Sequence, residues 1–200
     1  MKESLLTTLR DRSTAQAAFR KAADKLAELV AAEIAAGVIQ EEAAIQTPLA
    51  SAKGSRYTQK VVLMPILRAG IALLPAFMRF FDEAQVGFFG IRRDEKTAIA
   101  EQYYENIPLI SPETLVIILD PMIATAGSSL LALQRLKERG VAAPQILLAG
   151  FIAAPEGLNG IKKNFPEVKV KVVAVDEKLN AQKFIVPGLG DFGDRYFGTT

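Results

Sequence analysis

The sequence predicts an α/β protein: an open, mainly parallel sheet flanked by helices, in a single domain spanning residues 1–200. Three observations carry this. Continuous apolar runs such as "KVVLMPIL" (60–67), "TLVIILD" (114–120) and "QILLAGFIA" (145–153) are what strands become when both faces of a parallel sheet are covered. Helical stretches alternate with these runs along the chain. No internal repeat, low-complexity linker or composition shift marks a second domain, and 200 residues is an ordinary single-domain length.

In chain order, the opening "MKESLLTTLRDRS" is charged throughout and lacks the apolar centre of a signal peptide. Residues 13–37 then read as one amphipathic packing helix. Ser13 and Gln16 make a capping-box pair, and Gly37 is a C-terminal stop. Phe19, Ala23, Leu26, Val30 and Ile34 recur at spacings of three and four, which gives one apolar stripe. Strands are expected at 60–67, 85–91, 114–120, 145–153 and 168–176. The helices between them are expected at 70–81, 128–139 (with Gly140 as its stop) and 155–164. Residues 96–112 are irregular and read as a loop or hairpin that leaves the sheet.

The chain has no cysteine and no histidine. Disulfides, thiol nucleophiles and cysteine-based zinc sites are therefore excluded, as are Ser-His-Asp triads and the commonest general base. An enzyme built from this sequence must use carboxylates, cations, backbone amides or a hard, oxygen-liganded ion such as Mg²⁺. A net charge of +2 is too mild to make nucleic acid the main partner. The longest uncharged run, 140–155, is interrupted by Pro144 and Gln145 and falls short of the roughly 20 apolar residues of a membrane span. A soluble, cytoplasmic protein is expected.

Ligands of open α/β sheets bind outside the carboxyl ends of the strands, and three informative stretches lie there. In "VIILDPMIATAGSSLLAL" an apolar strand delivers Asp120, and Thr125, Ala126, Gly127 and Ser128 open a helix. Small residues at a helix N-terminus let backbone N–H groups close on a phosphate, while Asp120 could accept hydrogen bonds from neighbouring sugar hydroxyls. An ordinary strand-loop-helix connection with a polar cap would look similar. It is not a Walker A loop, because no G-x-x-x-x-G-K-[ST] occurs. In "VVLMPILRAGIALL", Arg68 follows a buried strand and could grip a diphosphate with its planar fork; a solvated loop arginine is the plainer reading. In "GIRRDEKT" the charges read first as a solvated face, yet they lead into a segment that could close over a site. Finally, Gly188, Gly190 and Gly193 match G-x-G-x-x-G. Residues 194–200 leave no room for the βαβ unit that this fingerprint needs, nor, on this reading, for any following helix.

Taken together, "LDPMIATAGSS", "PILRAG", "RRDE" and "IVPGLGDFGDRYFGT" closely resemble uracil phosphoribosyltransferases, and the likeness runs from "LLTTLRDRSTAQAAFR" to the last residues. That family converts uracil and 5-phosphoribosyl 1-diphosphate (PRPP) to UMP and diphosphate. The resemblance implies a type I phosphoribosyltransferase-like fold, with a C-terminal hood over the base site. It implies a PRPP loop at Asp120, Pro121, Met122, Ile123, Ala124, Thr125, Ala126, Gly127 and Ser128. Asp120 would meet the ribose hydroxyls, and Thr125 to Ser128 the 5′-phosphate. Arg68 and Arg93 would reach the diphosphate. Ile185, Gly190, Asp191 and Phe192 would contact uracil, largely through the main chain, with Asp191 also near the ribose and its Mg²⁺. Asp191, Arg68 and Asp120 would be the catalytic set. Mg²⁺ would be held by PRPP and water, with no direct protein ligand. Asp194 and Arg195 would brace the final loop.

The chain departs from family habit in places. Ala126 stands where relatives often have glycine, which matters if that position needs a positive φ. Phe184 stands where a tyrosine is common, and Arg92 where an aromatic is common. The resemblance further implies a homo-oligomer, dimer or tetramer, with GTP as a candidate allosteric effector, and no nucleic-acid or membrane partner. The alternatives are a nucleotide-sensing or RNA-binding regulator on the same fold, or a transferase for another base.

Overall fold

The computed structural model describes residues 1–38, 40–93 and 100–199, with the backbone alone described at Arg93. Helices α1 (Lys2–Arg10) and α2 (Gln16–Ala35) lead into an antiparallel ribbon of β1 (Gln40–Gln46) and β2 (Ser51–Tyr57). The central sheet follows: β3 (Val61–Leu67), β4 (Gln85–Val86), β5 (Phe88–Arg93), β6 (Ala100–Asn106), β7 (Leu115–Leu119), β9 (Ile146–Ala149) and β11 (Lys169–Lys171). Its spatial order is β11-β9-β7-β3-β5-β6, with β4 beside β3. All of these pairings are parallel except β6 on β5. The α/β architecture read from the sequence is therefore the architecture observed.

The apolar runs are explained by burial on both faces. Along β3, Val61 and Leu63 join one core and Val62, Met64 and Ile66 the other; along β7, Ile117 and Leu119 alternate with Val116 and Ile118 in the same way. The first core is covered by α1, α2 and α3 (Leu74–Phe80). The second is covered by α4 (Gly127–Glu138) and α5 (Pro155–Asn164). Each fully buried Leu, Ile or Phe contributes about 1.5–3 kcal/mol, so the two cores outweigh the ion pairs on the surface.

Several boundaries differ from expectation, each for a physical reason. Helix α2 begins at Gln16 and not at residue 13, and Ala15 caps it without a side-chain bond. Ser13 instead gives both its N–H and its hydroxyl to Asp11 Oδ1, at 2.8 and 2.7 Å; an ionised acceptor is the stronger partner, so the capping box does not form. The expected helix 70–81 divides into a 3-10 turn (Ala69–Ala72) and α3, because Pro75 is tolerated only in a helix's first turn. Of the stretch 96–112, residues 96–99 lie outside the described residues, and 100–106 do not leave the sheet: β6 forms its antiparallel edge, tied to α4 by Arg135 donating to Gln102 at 2.7 Å. Helix α1 and the β1–β2 ribbon were not expected. Helix α1 places Leu6 and Leu9 in the core, whereas β1 and β2 are exposed almost throughout and carry no apolar alternation.

The runs 145–153 and 168–176 each divide as well. After β7, β9 and β11 the chain steps aside and resumes as β8 (Met122–Ile123), β10 (Ile152–Ala153) and β12 (Ala174–Val175), a separate parallel strip ordered β12-β10-β8. Pro121 has no N–H for the ladder, and its carbonyl accepts from Phe151 and Ile152. All three breaks lie at one level, and Asp120 stands in the first of them.

Candidate functional site

That level is the carboxyl edge of the sheet, where a cleft of about 190 Å³ opens. Arg68, Asp120, Met122, Ser128, Asp191 and Phe192 line it, together with Ile66, Leu67, Ala69, Ile91 and Gly193. Residues from four separate parts of the sequence thus meet here. A larger cavity of about 860 Å³ lies at the opposite, amino ends of β3 and β7, beside Tyr57, Lys60, Phe81 and Ile110; none of the expected site residues lines it.

Arg68 follows β3 across a cis Leu67–Arg68 peptide. The backbone beside it can approach the end of β7 because residue 70 is glycine: a Cβ there would overlap the Leu119 carbonyl. The Arg68 guanidinium is exposed and donates to Asp194 Oδ1 at 3.2 Å and Thr199 Oγ1 at 3.4 Å. The Thr199 hydroxyl donates in turn to Asp194 Oδ1 at 2.6 Å. Sequence reasoning missed this role for Asp194 and Thr199, since only the closing of the C-terminal helix onto β3 brings them to Arg68.

Asp120 accepts from the Met122 N–H at 3.3 Å, and Gly127 N–H reaches Thr125 Oγ1 at 3.4 Å, so the loop is wound tightly into α4. Pro121, Ile123 and Ala126 are buried, and the Ile123 side chain belongs to the core. Of the loop, only Asp120, Met122 and Ser128 line the cleft. Pro121, Ile123, Ala124, Thr125, Ala126 and Gly127 stand outside its lining.

Ala126 occupies the left-handed region, with φ 61° and ψ 13°. This is the condition under which alanine departs unfavourably from glycine. Ala126→Gly relieves about 1–2 kcal/mol of left-handed strain against about 0.8 kcal/mol for a buried methyl. A small net stabilisation is expected, raising Tm by roughly 2 °C. A thermal melt checks it, and a lower Tm would show that the strain is absent.

At the C-terminus a short hairpin, β13 (Lys178–Leu179) on β14 (Ile185–Val186), delivers the chain through a cis Val186–Pro187 bond to the glycine-rich loop. Gly188 and Gly190 have φ of 64° and 78°, backbone that side chains other than glycine's rarely adopt. A helix does follow, contrary to expectation: α6 (Phe192–Phe197). The Asp191 carboxylate caps it by accepting from Asp194 N–H at 2.9 Å, and Gly198 ends it at φ 72°. The Phe192 ring is buried between Phe19 and Phe151, with centroids at 5.4 and 5.6 Å. Only its main chain is left to face a ligand. Ile185 is likewise a core residue, and neither Ile185 nor Gly190 lines the cleft.

Arg195 is the brace of the loop. It donates to the carbonyls of Leu189 at 2.7 Å, Asp11 at 2.6 Å and Leu9, and it lies over the Phe19 ring at 4.3 Å. Arg92 pairs with Glu101 at 3.3 Å on the exposed hairpin face. The Arg93 side chain lies outside the described residues.

Asp120 and Asp191 are the two carboxylates of the cleft lining. As hard oxygen donors they suit Mg²⁺ better than a softer metal. Among the described residues, no group of three or more carboxylates, histidines or cysteines could enclose a metal by itself, and no helix is long and apolar enough to cross a membrane.

Comparison with known proteins agrees with this geometry. Proteins named uracil phosphoribosyltransferase from Campylobacter concisus and Halalkalibacterium halodurans are each 42% identical, over 98% and 97% of this chain and 94% and 92% of their own lengths. A solved protein of Aquifex aeolicus superposes with a TM-score of 0.90 at 34% identity, covering 100% of this chain and 95% of that one. A purine phosphoribosyltransferase structure from Pyrococcus horikoshii shares the fold at a TM-score of 0.50 and 13% identity, over 78% of this chain and 84% of its own. The family model described as uracil phosphoribosyltransferase matches residues 1–199, and the chain belongs to that family.

Proposed function

We propose that this chain, acting as one phosphoribosyltransferase domain, joins uracil to PRPP and releases UMP and diphosphate. The observation that carries the reading is the meeting of Arg68, Asp120 and Asp191 at one cleft on the carboxyl edge of the sheet. The bond from C1 of the ribose to the diphosphate oxygen breaks, and its electron pair leaves with diphosphate. The bond from uracil N1 to C1 forms, and the N1 proton passes to the departing diphosphate or to solvent. The difficulty lies in the leaving group and in the oxocarbenium-like sugar, so a site without histidine can do the work.

In this reading Arg68 takes charge from the departing diphosphate. The 5′-phosphate sits at the N-terminus of α4, where the positive end of the helix dipole and the backbone N–H groups favour an anion. Asp120 accepts from ribose hydroxyls, and Asp191 faces the sugar while the main chain of 190–192 reads the edge of uracil. Mg²⁺, when bound with PRPP near Asp120 and Asp191, would supply positive charge beside the diphosphate. Arg93 is retained as a second diphosphate contact on the strength of the family motif alone.

The reading extends to a homo-oligomer, dimer or tetramer. Ile45, Leu49 and Tyr57 stand exposed on the β1–β2 ribbon and offer apolar surface to a second copy; light scattering at a single chain mass would remove this part. A cytoplasmic site of action fits substrates that are phosphorylated metabolites and free bases. The RNA-binding alternative is not favoured.

Incubation with uracil, PRPP and Mg²⁺ is expected to yield UMP, and chelation with EDTA to abolish it. The absence of UMP above background would sink the proposal, and UMP formation that survives EDTA would remove the metal from it. The same assay with GTP tests the effector, and competition by other bases tests specificity.

A further inference from the structure

An ion pair outside the cleft lining holds the base loop from behind. Arg10, the last residue of α1, presents its guanidinium to Asp176 fork to fork. Nη1 donates to Oδ2 at 2.8 Å and Nη2 to Oδ1 at 2.5 Å. The same Nη1 donates to the Gly188 carbonyl at 2.8 Å, and Asp176 Oδ2 accepts the Gly188 N–H at 2.9 Å. Both polar groups of Gly188 are therefore used by one pair. The Asp176 side chain is 3% exposed, so the pair is built into the fold and is not a surface contact. Burial pushes the Asp176 carboxyl upward, but the hydrogen bonds from Arg10 and from Gly188 N–H outweigh it and leave it below the usual range.

Gly188 is where the chain turns. Its φ is 64°, and a Cβ would overlap the Ile185 carbonyl. Two residues later the chain presents Gly190, Asp191 and Phe192. On the other side of the turn, Arg195 fixes the Leu189 carbonyl while holding Leu9 and Asp11. Both arginines therefore join the end of α1 to residues 188–189.

We infer that Arg10 is a positioning residue for uracil: through Asp176 and Gly188 it sets the backbone that reads the base, without touching substrate itself. The inference rests on the reading that Ile185 and residues 190–192 contact uracil. A planar, two-point grip on Asp176 with a third bond to Gly188 is a task that arginine's fork performs and lysine's point charge performs only in part.

The test compares wild type, Arg10→Lys and Arg10→Gln in full kinetics, with uracil and PRPP varied separately. Loosening the loop should raise KM for uracil in Arg10→Gln by roughly ten-fold or more, because binding the base must then also order the loop. KM for PRPP should stay within about three-fold, because the phosphate contacts at α4 do not pass through this pair. Arg10→Lys should recover part of the uracil KM. Equal rises in both KM values, or a fall in kcat at unchanged KM, would overturn the inference.

Arg10→Gln leaves a buried carboxylate unpaired and could fail to fold. Hydrogen exchange on the folded Arg10→Lys protein provides a second reading that needs no activity. Faster exchange confined to residues 176–190 is expected, and exchange unchanged there overturns the positioning role. If wild type forms no UMP the base-site reading fails by itself, while the exchange result still decides whether Arg10 sets the loop.

Discussion

Arg68→Gln is expected to lower kcat/KM for PRPP by about 10²–10³-fold, the usual cost of removing one preorganised donor from developing negative charge. The fold should be untouched. Arg68 is exposed, and its partners, Asp194 and Thr199, sit at 3.2 and 3.4 Å. A surface pair of that kind is worth about 0–1 kcal/mol, against the ~3–4 kcal/mol that a hundred- to thousand-fold loss represents. Stability and catalysis therefore separate cleanly at this position. The diphosphate carries far more charge than one carboxylate, so PRPP should draw the guanidinium away from Asp194. Arg68→Lys should restore only part of the rate, since an ammonium cannot bond two oxygens in one plane. Arg79→Gln is a matched control: Arg79 is also exposed and pairs with Glu28 at 2.6 Å, away from the cleft. Steady-state kinetics at saturating uracil decide the matter, and an Arg68→Gln enzyme within about three-fold of wild type would remove Arg68 from the reaction.

The fold was legible where burial writes a pattern. Strands covered on both faces must be apolar at every position, and β3, β7 and β9 are; α2 shows one stripe because only one of its faces is packed. The ribbon β1–β2 was illegible because its residues are exposed on both faces, so nothing selects alternation. Helix α1 could have been found: Leu5, Leu6 and Leu9 recur at helical spacing, but the charges around them obscured the stripe. The coordinated breaks after β7, β9 and β11 depend on how three strands pair, and no single run records that.

The site divides similarly. Arg68 and Asp120 were found because each directly follows an apolar run, and strand ends in such sheets point to the ligand edge. For Asp191 the family motif was needed, since nothing in its spacing says which way a final loop folds. The Asp194–Arg68 contact, and the grip of Arg10 on Asp176, span 126 and 166 positions. Local pattern carries no trace of pairs so far apart. Ala126 lies between these cases: the sequence named the condition, and the backbone, at φ 61°, met it.

Asp191→Asn is expected to depress kcat by about 10²–10⁴-fold, the range associated with losing a positioned acid or base, with secondary structure and Tm close to wild type. Two opposed requirements meet at this residue. Its carboxylate caps α6 by accepting from Asp194 N–H at 2.9 Å, and asparagine is as good a cap as aspartate, so the substitution keeps the helix. What asparagine cannot supply is negative charge. As C1 of the ribose loses its bond to diphosphate, positive charge grows on the sugar. The nearby carboxylates in the cleft lining are Asp120, committed in this reading to the hydroxyls, and Asp191. With no histidine in the chain, the commonest general base is absent. Because the charge matters most in the transition state, kcat should fall much more than KM for either substrate rises. Circular dichroism and a thermal melt establish that the variant is folded, and initial rates at saturating uracil, PRPP and Mg²⁺ then measure the loss. A folded Asp191→Asn protein turning over at the wild-type rate would reduce Asp191 to a helix cap, and the negative charge at C1 would have to come from PRPP itself.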